Sequence, residues 1–151
     1  MFDNKNVATL NSLIATTLDS VDGYRKAAEE ANAAQFREIF LSRANERQKV
    51  VSDFQAKVRE LGGEPEDDGT ILASAHRAFL GLRDKLTGAR DDDAVIAEVE
   101  RGEDHIKSKF ESALGDADLD PAVRQLIESG YASVREGHDQ MSALKHGLGA
   151  N

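Results

Sequence analysis

The stretch AEVERGEDHIKSKF, residues 97–110, places Glu98, Glu100, Glu103, Asp104 and His105 close together on what reads as one helix. Carboxylates and an imidazole form a ligand set for iron, manganese or zinc, so their directions matter. At about 100° per residue, Glu103 falls one turn beyond Val99, near the centre of the apolar face. Glu98 and Glu100 flank that face, while Arg101, Asp104 and His105 turn outward. Gly102 lies on the stripe, where a missing side chain admits a neighbouring helix. Other polar groups also fall on or beside apolar stripes: Arg47 with Arg43 one turn earlier, His138 one turn after Val134, and Tyr131 seven residues before His138. Asp22 and Glu29 flank the stripe of the first helix.

A buried charge has to be paired or to coordinate a metal, which leaves two readings. In the first, Arg43 and Arg47 pair with Glu103 and with Asp22 or Glu29, and His138 and Tyr131 complete a hydrogen-bonded network. In the second, Glu29, Glu100, Glu103 and His138 ligate iron, manganese or zinc. His76 and Arg77, beside another apolar face, form a separate candidate, either an anion or partner contact or a histidine satisfied at a helix seam.

Five helical segments position these groups, at about residues 4–31, 33–62, 70–87, 92–114 and 120–147. The first carries Val7, Leu10, Ile14, Leu18, Val21, Arg25 and Ala28 along one stripe. Asn32 offers a turn or cap before the second. Gly62 is a natural left-handed stop and Pro65 blocks continuation. RDDD places acids at the positive end of the fourth segment, and Asp120 with Pro121 gives the last a cap and a first-turn proline. Gly130 and Gly137 both sit on its apolar stripe. No strand pattern competes, so the expectation is one all-α domain over residues 1–151.

The connections are unequal. Short turns join the first segment to the second and the fourth to the last, whereas GGEPEDDG and the third segment separate the two antiparallel hairpins. Two hairpins joined by one long crossover carrying an extra helix is the ferritin-like form of a four-helix bundle. The di-iron version of that plan needs Glu-x-x-His on two helices. Here Lys49 follows Glu46 by three residues, and Arg135 precedes His138 by three. A cation breaks both pairs.

Composition limits the partners. The formal charge of −9 opposes non-specific binding to nucleic acid and to anionic membranes, and the absence of cysteine removes thiolate sites and disulfides. No apolar run approaches a membrane span. The first residues lack a basic stretch followed by an apolar one, so they do not read as a signal peptide. A cytoplasmic protein is expected.

The pieces LNSLIATTLDSVDGYRKAAEE, RANERQKVVSDFQAKVRELGGEPEDDGT, AHRAF, EVERGED and GHDQM resemble, in order and over nearly the whole chain, a bacterial ferritin-like four-helix-bundle family of unknown function. The resemblance implies a ferritin-like fold and a cytoplasmic bacterial protein, alongside stress-related relatives, with no established reaction. It also implies functional-looking polar residues at Glu29, Glu46, Asp53, His76, Glu100, Glu103 and His138. A structural or interaction module without catalysis is the leading expectation, and a carboxylate–histidine metal protein with oxidase-type or metal-handling activity is the alternative. By analogy, and because the apolar faces of five helices need cover, a homodimer is expected.

Overall fold

The computed structural model describes residues 2–68 and 91–149. The expected helix at 70–87, with His76 and Arg77, lies outside the described residues. Four helices are present: α1 (Phe2–Glu30), α2 (Ala34–Glu60), α3 (Asp92–Leu114) and α4 (Pro121–Gly149). No strand occurs among the described residues, and no helix there is long and apolar enough to cross a membrane.

Local chemistry sets the ends. Gly62 adopts φ 86°, and the Gly63 and Gly62 amides donate back to the Val58 and Arg59 carbonyls at 2.9 and 3.0 Å. This is a Schellman stop, which a side chain at the left-handed position would strain. Asp91 caps α3 by accepting from the Ala94 amide at 2.9 Å, and Asp120 does the same for α4 through Ala122 at 3.0 Å. The start of α2 is solved differently from the Asn32 cap read in the sequence. Ala33 holds the cap position without a side-chain acceptor. Instead the Asp92 carboxylate, from the first turn of α3, accepts from the Asn32 and Ala33 amides at 2.7 and 3.1 Å. A tertiary contact closes a helix end that the local sequence leaves open.

α1 packs on α2 and on α3, and α4 packs on α3 and on α2, so α2 and α3 lie on a diagonal of the bundle, as do α1 and α4. Long-range bonds fix the directions. Lys5 reaches Asp116 and Asp118 beyond the end of α3, and the Asp120 amide donates to Asn6 at 3.1 Å, whereas Asp92 at the start of α3 meets the end of α1. α1 therefore runs antiparallel to α3 and α2 parallel to it. The chain leaves α2 beside the first turns of α1, where Asn11 donates to the Glu64 carbonyl at 2.9 Å. It re-enters α3 at the opposite end, a traverse of about 40 Å for helices of this length. Such a long crossover between two hairpins is the ferritin-like arrangement.

The core is in two parts. One gathers Leu10, Ile14, Val51, Phe54, Ile106, Phe110, Ile127 and Val134. The other gathers Tyr24, Ala28, Phe40, Ala44, Ile96 and Met141. On all four helices the division falls at one level, between Ile14 and Tyr24, between Ala44 and Val50, between Ile96 and Ile106, and between Val134 and Met141.

Replacing Asp92 with alanine removes the carboxylate that accepts from both the Asn32 and Ala33 amides. Urea unfolding of Asp92→Ala is expected to show a loss of about 1 kcal/mol, the scale of a lost helix cap; an unchanged midpoint would mean those amides find solvent at no cost.

Candidate functional site

The dividing level is polar, and every helix contributes to it. Arg47 of α2 and Glu103 of α3 are almost completely buried, at 0% and 1% exposure. They face each other across the diagonal in a bidentate pair, with Nη1 to Oε1 at 2.7 Å and Nη2 to Oε2 at 2.6 Å. Nη1 also donates to the Ser20 hydroxyl of α1 at 2.7 Å. The Tyr24 ring, one turn further on α1, lies under the guanidinium at 5.5 Å, close enough for a cation–π contribution. α4 contributes an absence. A Cβ on Gly137 would stand 2.3 Å from Arg47 Nη2 and 2.7 Å from Glu103 Oε2, so the paired head groups occupy the space a side chain would take.

The electrostatics follow from burial. Desolvation opposes the charge on Arg47, yet the Glu103 carboxylate outweighs it and holds the guanidinium above its ordinary pKa. Burial pushes the Tyr24 phenol far up, with Glu103 adding to the effect. Tyr24 Oη and Arg47 Nε are both buried without a hydrogen-bond partner. The layer thus holds one ionic pair, two neutral hydroxyls and two donors with nothing to donate to.

The remaining candidates scatter. Arg43 turns from Glu103 to the α2–α4 seam, where it reaches Gln140 at 2.7 Å, Glu46 at 2.9 Å and Glu136 at 3.5 Å, and Ser133 donates to Glu46. Glu100 accepts from Lys145 at 2.9 Å. Glu29 is exposed beside Lys26, and with Asp22, Arg25 and Lys26 it lines an open depression on α1. His138 meets Asp104 at 2.7 Å and Asp139 at 3.3 Å. Tyr131 donates to Glu111 at the surface, at 2.5 Å, and not to the interior network. Asp53 is exposed, while Glu98 is buried and paired with Arg101.

Two readings of the stripes need correction. Gly102 is exposed, with no described atom within 4 Å of a Cβ built there; close approach is served by Gly137, and by Gly130 under Phe54 and Phe110. On α1 the residue that points inward is Tyr24, and Arg25 is exposed, because a guanidinium without a carboxylate partner is costly to desolvate. Ser20 carries no pattern of its own in the sequence, being a short hydroxyl, and Asp104 reads there only as an outward acid with no partner assigned.

Residues 5–116 match the family described as Domain of unknown function (DUF2383). The chain belongs to that family. The match ends before α4, so Gly137 and His138 lie beyond it. Among solved structures, the X-ray structure of Dps from Thermosynechococcus elongatus is similar in fold, with a TM-score of 0.73 at 14% identity, over 95% of this chain and 91% of that one. At that identity the likeness speaks for the fold alone, and it shows a ferritin-like four-helix bundle. No curated protein matches the sequence.

The di-iron centre found in other ferritin-like bundles does not fit this interior. No three of Glu29, Glu100, Glu103 and His138 bring ligand atoms within 4.8 Å of one another; among the described residues only the surface group Glu66, Asp67 and Asp68 does so. Glu103, the one fully buried carboxylate of the four, already holds a cation on both oxygens.

Arg47→Met strands Glu103 as an unpaired buried charge, and urea unfolding should show a loss on the order of 3–5 kcal/mol. Gly137→Ala should cost about 1–3 kcal/mol by overpacking. That second penalty should shrink in an Arg47→Ala background, because the nearest clash is with the guanidinium while the one with Glu103 Oε2 remains; a double-mutant cycle reads the coupling, and strict additivity would contradict the contact.

His138 gives a pH signature. Partial burial pulls its pKa down, but Asp139 and Asp104 outweigh it and hold the imidazole above its ordinary value. With the folded value above the unfolded one, the contribution is complete below about pH 6.5 and is lost as pH rises through the folded value. The difference in stability between the parent and His138→Gln should therefore shrink on that alkaline side; a difference independent of pH would rule out the charged pair.

Proposed function

We propose that this protein acts through its surface, as a ferritin-like bundle with a structural or interaction role in a homo-oligomer, and carries out no reaction in its interior. The observation that supports this most is the Arg47–Glu103 pair. A ferritin-like bundle does chemistry by pointing carboxylates and histidines into its centre. Here the inward carboxylate is consumed by a guanidinium, and His138 and Glu100 are taken up by Asp104 and Lys145. Four long helices closed in this way form a rigid frame with side chains displayed outward. The homodimer is part of the same proposal, as is a single domain spanning the chain.

Protein purified without chelator or affinity tag tests the reading. The expected result is less than about a tenth of an equivalent of iron, manganese or zinc, and no rise in melting temperature when these ions are added, since a specific ligand must stabilise the folded state. Stoichiometric metal would overturn the proposal in favour of a metal-handling protein. Size-exclusion chromatography with light scattering should give a dimer; a monomer at about 100 μM would remove the oligomer, because a biological dimer of ordinary interface size persists well below that concentration.

A further inference from the structure

We propose that the Arg47 guanidinium is the resident cation of an interior carboxylate site. The protein carries on α2, as part of its own chain, the positive charge that a bound metal ion supplies in metal-carrying bundles of the same class. The inference rests on the reading of a closed interior and adds what closes it.

Three observations carry it. Glu103 presents both oxygens to the centre of the bundle at 1% exposure, a position that demands a counter-charge. The groups around the guanidinium are hard oxygen donors, namely the Glu103 carboxylate, which holds it at 2.6 and 2.7 Å, and the Ser20 hydroxyl at 2.7 Å. The Tyr24 hydroxyl is buried in the same layer without a hydrogen-bond partner. The space itself is provided by Gly137, where a Cβ would collide with the arginine head group at 2.3 Å. Remove the guanidinium, and a buried carboxylate with oxygen donors beside it is left. Such a set suits manganese(II) or free guanidinium more than a soft metal.

The test removes the tether and supplies the charge from solution. Three full-length proteins are melted: the parent, Arg47→Ala, and Arg47→Ala combined with Glu103→Gln. Each is melted alone, with about 1 mM manganese(II), and with about 10 mM guanidinium, far below denaturing concentrations. Arg47→Ala should melt below the parent, and either cation should raise its melting temperature by about 3 °C or more. The parent and the double variant should not respond. If Arg47→Ala is unfolded in plain buffer, recovery of helical ellipticity on adding cation replaces the melting temperature, with the same comparison. No response, or an equal response in all three proteins, overturns the proposal. Its failure is separable from that of the closed-interior reading, which is decided by the metal content of the parent protein.

Discussion

A single ion pair on the long diagonal of the bundle organises this structure. Arg47 and Glu103 lie on helices that do not pack against each other, so each must reach past the nearer helices to make contact. The apolar core divides on either side of them. Such a pair contributes little net stability, because the desolvation of two charges offsets most of their attraction. What it contributes is register. A slip of one residue on α2 or α3 would turn one partner out of the centre and leave the other buried alone, at a cost of several kcal/mol. The apolar layers on their own would tolerate many such slips, since Leu, Ile, Val and Phe exchange places at modest cost. Gly137 joins the same constraint on α4, and Gly130, seven residues earlier, repeats the device against Phe54 and Phe110.

The periphery follows a related rule. Helix ends and seams are completed by partners distant in sequence: Asp92 for the start of α2, Asn6 for the turn before α4, Gln140 for Arg43, Lys145 for Glu100. The first three of these contacts tie the two hairpins together, and the fourth joins α3 to α4. The fold shared with Dps at 14% identity shows how far side chains can change while the helical frame persists.

Much of this is legible in the sequence. Helical period, cap residues and one long connection between two short ones were enough for a ferritin-like bundle, because these are local signals that tertiary packing reinforces. Arg47 and Glu103 stood out because charges on apolar stripes are rare and need partners. Their pairing was one of the two readings the sequence left open; the separation of Arg43, His138 and Tyr131 from that network belonged to neither. Each of these found a partner away from the central pair, in Glu46, Asp104 and Glu111, and helical angles do not rank partners by distance. Gly102 and Gly137 sat on equivalent stripes in the sequence, yet only Gly137 faces the ion pair.

By itself, the sequence determined, for the described residues, which stretches are helical and where those helices stop, and that inward charges needed a partner, either an opposite charge or a metal. These follow from backbone preferences and from the cost of desolvating a charge, both properties of a short stretch of chain. The three-dimensional arrangement decided which charges met, that Tyr24 and not Arg25 turned inward, and that the missing side chain at position 137 made room for a guanidinium. Those outcomes depend on helix rotation and on distances across the bundle, and such quantities exist only once all four helices have packed.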